Sequence, residues 1–171
     1  MQASAVDGNY RGYRIGLFSE GKIEENRRGF VRFRTVIEVI FGENMPTRGA
    51  FGNTDANGVV QYLNYGTTYI MDEKPNWDKN YLITTEDHEF LKEYLTPTRL
   101  KGLNSFFKLN KTTTMFVFNE RDSFLRLETA NPLTEPERVE KLINKIVHLA
   151  EALKLSKTER ERFMPNKNKS E

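Results

Sequence analysis

The 171-residue sequence predicts an α+β fold, a mainly antiparallel sheet with two short helices and one long C-terminal helix packed on one side. Three observations carry that expectation. Apolar and polar residues alternate up to Phe41 and again between Thr113 and Glu128, the period of half-buried strands. The stretch TTEDHEFLKEYLTPTRLKGL, Thr84 to Leu103, combines a cluster of acids, apolar residues at helical spacing and a proline restart. From Val139 to Leu153 apolar residues recur every three or four positions, which makes one face of a long helix apolar.

In chain order, Tyr13, Ile15 and Leu17 alternate with Gly12, Arg14 and Gly16, predicting one strand from Asn9 to Phe18. In GFVRFRTVIEVIF, Val31, Phe33, Thr35, Ile37, Val39 and Phe41 share a face and Arg32, Arg34 and Glu38 the other. The charged segment between these runs predicts an antiparallel pair with a long hairpin loop. Residues Glu43 to Asn80 are rich in Gly, Asn and Pro, with short strands expected at Val59–Leu63 and Thr67–Met71, and Tyr81–Thr84 adds another. Thr84 or Thr85 then caps a helix whose first turn holds Glu86, Asp87 and Glu89, the end that the helix dipole favours for acids. Phe90, Leu91, Tyr94 and Leu95 form its inner face. Thr96-Pro97 starts a second helix with Leu100, Leu103, Phe106 and Phe107 inward. Thr113–Phe118 and Ser123–Glu128 form a hairpin. Thr134-Glu135-Pro136-Glu137 has the pattern of a capping box, and on the helix it opens Lys141, Lys145 and His148 lie opposite the apolar face. A single α+β domain over residues 8–155 follows, with a charged, frayed tail at 156–171.

Composition narrows the function classes. Twenty-six Lys plus Arg against twenty-four Asp plus Glu leave +2, so no overall field compels a nucleic-acid or membrane partner. The absence of cysteine removes disulfides, thiolate metal sites and a thiol nucleophile together. No window holds the roughly eighteen apolar residues of a bilayer span, and MQASAVDGNYRG lacks a secretion-signal core, so a cytoplasmic domain is expected.

The candidate sites divide between charge that starts helices and charge that contacts a partner. His88 sits among acids, but the other histidine, His148, is sixty residues away, so no paired ligand spacing exists and the acids are read as helix starters. NTDANG, Asn53 to Gly58, nearly follows a calcium-loop order, yet it begins with Asn and has Asn64 where a bidentate Glu is needed. A turn or hairpin around Asn57-Gly58 is expected instead. RGFVRF, Arg28 to Phe33, is similar to an RNA-recognition strand, but Phe30 and Phe33 point to opposite faces, which disfavours nucleic-acid binding. Arg28, Arg32 and Arg34, extended by Arg11 and Arg14 on the neighbouring strand, form the predicted contact surface for a protein partner or an anionic lipid surface. Trp77, the one tryptophan, is a candidate anchor. The leading expectation is a non-enzymatic interaction or ligand-binding domain with no cofactor and no metal. Its rivals are a metal-dependent hydrolase gathering dispersed carboxylates such as Asp72, Asp78 and Asp87 around magnesium, and a weak nucleic-acid-binding module.

Three segments together, GNYRGYRIGL, DHEFLKEYLTPTRLKGLNSFF and ERVEKLINKIVHLAEAL, resemble a poorly characterised domain of unknown function found in prokaryotic proteins. That domain usually follows a short transmembrane segment or hairpin. The resemblance implies a soluble portion tethered to a membrane in the parent protein, without known catalysis and without functional residues to transfer.

Overall fold

The computed structural model describes residues 5–23, 31–69, 71 and 77–165. Where one strand was expected across Asn9 to Phe18, two are found: β1 (Ala5–Tyr10) and β2 (Tyr13–Ile23). Arg11 and Gly12 between them have φ of 51° and 82°, the left-handed pair of a two-residue hairpin turn whose twist suits antiparallel strands. The remaining strands are β3 (Val31–Ile40), β4 (Gly49–Gly52), β5 (Thr67–Tyr69), β6 (Leu82–Thr85), β7 (Thr112–Phe118) and β8 (Phe124–Thr129). They form one sheet in the order β1-β2-β3-β8-β7-β4-β6-β5, with every neighbouring pair antiparallel.

Register sorts the side chains into two faces. Ile15 opposes Val39, Ile37 opposes Leu127, Leu125 opposes Phe116, and Phe51 lies between Phe116 and Ile83, so one apolar layer crosses the sheet. That face is covered by α2 (His88–Tyr94), α3 (Pro97–Phe107) and α4 (Pro136–Leu153), whose Phe90, Leu91, Leu103, Phe106, Ile146 and Ala150 join it in the main core. The expected α+β class holds, with α4 the longest helix, but five helices occur among the described residues and they do not all lie on one side.

The segment Val59–Leu63 belongs to a helix, α1 (Asn57–Leu63), entered through a short 3-10 turn at Thr54–Ala56 in place of the expected hairpin. Val60 packs with Ala56 and with Ala50, Met115 and Val117, strand residues that alternate in sequence with those of the main core, so α1 lies on the opposite face. Gly52 permits this approach: a Cβ there would come within 2.7 Å of Ala56 and 2.8 Å of Val60.

Caps also depart from expectation. Asp87 caps α2, its carboxylate accepting from the Phe90 amide at 2.9 Å, while Thr84 and Thr85 lie in β6. Thr96 caps α3 with Pro97 in its first turn, as the sequence indicates. Glu135 begins α4 without a side-chain cap bond, so the box expected at Thr134 is absent. A complete capping box forms instead at Ser156 and Glu159, opening α5 (Lys157–Phe163) inside the segment expected to fray. No helix among the described residues is long and apolar enough to cross a membrane.

Candidate basic groove

Of the predicted arginine surface, Arg34 is drawn into an ion-pair lattice on the sheet. Because β8 pairs with β3, Arg126 lies opposite Glu38 and Glu128 opposite Val36, on the face that carries Arg34 and Glu20. Arg34 donates through Nη1 to Glu128 and has its Nε 3.6 Å from Glu20. Arg126 donates to Glu128 at 2.8 Å, to Glu38 at 2.7 Å and to Glu20 at 3.3 Å. Burial of the Arg126 guanidinium opposes its charge, but the bonds to Glu38 and Glu128 prevail and raise its pKa. This lattice lies on the same face as the fully buried Val36, and the Arg126 guanidinium sits 5.4 Å from the Phe18 ring. Arg34 therefore serves the sheet before any partner.

The other predicted contact residues are dispersed. Arg32 is exposed and donates to Asn131 at 2.8 Å. Arg14 is exposed beside Asn9, and Arg11 lies in the β1–β2 turn with its guanidinium 5.4 Å from the Tyr10 ring. Arg28 lies outside the described residues. Trp77 is half-buried, edge-on to Tyr81 and Phe107 at 5.5 and 5.9 Å, and joins the border of the main core.

The residues weighed for metal chemistry are engaged locally. Asp87 is a cap, Asp78 accepts from the Asn80 amide at 2.9 Å, and Asp72 lies outside the described residues. His88 opens α2 with its ring 5.0 Å from that of Tyr69. Asn53 bridges to β7, accepting from the Thr114 amide at 3.2 Å and donating to the Thr112 carbonyl at 2.7 Å. Among the described residues no group of three or more His, Asp or Glu is placed to hold a metal ion.

Positive charge without ion-pair partners among the described residues also collects beside α4. The loop from Ala130 to Glu135 is tied down where Thr35 Oγ1 accepts from the Leu133 amide at 2.8 Å and Arg32 reaches Asn131. Across from it the α3–β7 turn holds Lys111 at φ 56°, and the Lys111 carbonyl accepts from the Ala130 amide at 3.1 Å. Arg138, Lys141 and Lys145, spaced by three and four, form the helical wall. The open groove between them has a volume of about 1020 Å³ and an apolar component from Leu109, Pro132, Leu133 and Leu142. Among the described residues, Lys111, Arg138, Lys141 and Lys145 line it against only Glu135 and Glu137, and none of the four forms an ion pair. Concave walls with one excess sign concentrate the field and attract anions. The sequence showed Lys141 and Lys145 as a solvated helix face. Lys111 carries no such sign in the sequence, because the β7–β8 pairing is what sets its turn beside Ala130 and the loop that leads into α4.

A second groove, of about 590 Å³, lies on the other side of the α4 N-terminal half, lined by Val6, Tyr10, Leu17, Leu133, Val139 and Ile143. The Tyr10 hydroxyl donates to Asn144 at 2.8 Å and ties the first hairpin to α4. Comparison with protein-family models, with curated proteins and with solved structures gave no significant match, and the functional reading rests on the chain's own residues.

Proposed function

We propose that the protein is a non-enzymatic binding module whose contact site is the basic groove beside α4, and that the groove takes an extended acidic segment of a partner protein. The observation that carries this reading is the contrast in pairing. Arg34 and Arg126 on the sheet are held by glutamates, whereas Lys111, Arg138, Lys141 and Lys145 line a concavity without ion-pair partners among the described residues. A walled groove fits a chain segment better than a planar bilayer. No aromatic residue among the described ones lines it, so bases would lack there the stacking platform that single-strand binders use. The leucines offer an acidic segment apolar contacts as well as charge.

The test is fluorescence anisotropy of a labelled Glu- and Leu-rich peptide titrated with the protein. Binding is expected at low ionic strength, weakening as salt rises, and at least about tenfold weaker in Lys141→Glu/Lys145→Glu. Anionic vesicles and single-stranded DNA provide the other arms. Undiminished peptide binding by the double variant, or binding of vesicles or DNA with none of peptide, would sink the reading.

A further inference from the structure

β1 ends the sheet, and its outer edge pairs with no strand among the described residues. The two-residue turn makes Tyr10 and Tyr13 a hydrogen-bonded pair, and alternation from there fixes the rest. Val6, Gly8 and Tyr10 direct their backbone groups to β2, and Asp7 and Asn9 direct theirs outward. β1 contains no proline, no lysine and no bulge, Asp7 is its one charge, and Val6 is 63% exposed. We propose that β1 pairs antiparallel with β1 of a second copy about a two-fold axis at Gly8, joining two sheets into one.

The register follows from the residues. Antiparallel pairing must set outward-facing residues opposite each other, which places the axis on a residue and not between two. An axis at Asp7 would oppose two carboxylates. An axis at Gly8 sets Asp7 opposite Asn9 of the second copy, on the face where Arg14 flanks Asn9. Asp7 then lies within arginine reach of Arg14 of the second copy, and the relation repeats by symmetry. Neither Asp7 nor Arg14 forms an ion pair among the described residues of one chain, so the charge is available to this contact. On the other face Val6 meets Tyr10 of the second copy, which covers the exposed valine and joins the two apolar grooves across the axis. A contact of this kind is self-complementary and closes at two copies.

Sedimentation equilibrium of the full chain over a concentration series at low salt tests the proposal. The mass is expected to rise from one chain to two. Asn9→Pro removes an outward amide while sparing the bonds to β2, and Asp7→Arg places like charges together. Each is expected to weaken the dimer at least about tenfold, and Asp7→Arg combined with Arg14→Asp to restore it. Circular dichroism confirms folding, and Asp7→Arg, at an exposed site, keeps the test valid if the proline variant does not fold. A monomer at every concentration overturns the proposal and leaves the edge to an extended segment of another protein. A dimer that both folded variants leave unchanged overturns it equally.

Discussion

Arg99 shows how one side chain fastens the C-terminal part of the molecule. It is 5% exposed, and its guanidinium donates to the carbonyls of Tyr94 at 2.8 Å, Ala152 at 3.2 Å and Lys154 at 2.7 Å. It also grips Glu159 through two bonds of 2.6 and 2.8 Å and lies 4.3 Å from the Tyr94 ring. The fixed fork of arginine, which lysine lacks, lets a single residue satisfy the end of α4 and hold α5. Arg99→Met would remove a donor from three carbonyls and from the Glu159 carboxylate, and is expected to cost about 3–5 kcal/mol in urea unfolding. The bonds from Arg99 hold Glu159 well below its ordinary value of 4.5, at about 2. A carboxylate depressed in the folded state stabilises above its unfolded pKa and ceases to do so as pH falls through the folded one. The stability difference between wild type and Glu159→Gln should therefore be level at neutral pH and shrink from about pH 4.5 to pH 2. A difference unchanged over that window would show that the carboxylate charge is not what Arg99 holds.

Which elements were legible follows from how each is stabilised. β2, β3, β7 and β8 each present an apolar face to the main core, so their alternation is written into neighbouring residues. α1 resembles a strand in sequence because Val59, Val60, Tyr62 and Leu63 have strand-forming or apolar side chains while only Val60 is fully covered. Tyr62 is 87% exposed, so hydrophobicity there does not report burial. α5 is obscure in the sequence for the opposite reason. It buries no residue completely and is held by Arg99–Glu159, Arg160–Glu43 and Arg162–Glu93, with Phe163 edge-on to Phe90 at 5.0 Å. Such partners lie far away in sequence, and a charged run carries no sign of them. The site suffered likewise, since the fate of Arg34 depends on β8 lying beside β3. The Ser156 cap tests the independence of α5: Ser156→Ala is expected to destabilise this helix by about 1 kcal/mol. Hydrogen exchange should rise over Lys157–Phe163 while the sheet amides stay protected, and equal acceleration in β7 and β8 would mean that α5 does not open locally.

Across the whole molecule, strand order matters more than strand content. β4 enters the sheet between β7 and β6, and β3 pairs with β8, so segments from early and late in the chain alternate along the sheet. Neither terminal half can complete a layer by itself. The small cluster around Val60 shares β4 and β7 with the main core, because Ala50, Met115 and Val117 alternate with Phe51, Phe116 and Phe118 on the same strands. Losing one face therefore removes the support of the other, and the described core should unfold as one unit. Trp77 makes this measurable, since the only tryptophan packs on Tyr81 and Phe107 at the border of the main core, at the β4–β6–β5 end. Urea transitions followed by tryptophan fluorescence and by far-ultraviolet circular dichroism are expected to coincide in midpoint and slope. If fluorescence changes at lower urea, the β4–β6–β5 end opens separately and the sheet is two cooperative units. Coincident transitions at several protein concentrations below the dimer range would place the cooperativity within one chain, because pairing through β1 raises the midpoint with concentration whereas an intrachain core does not.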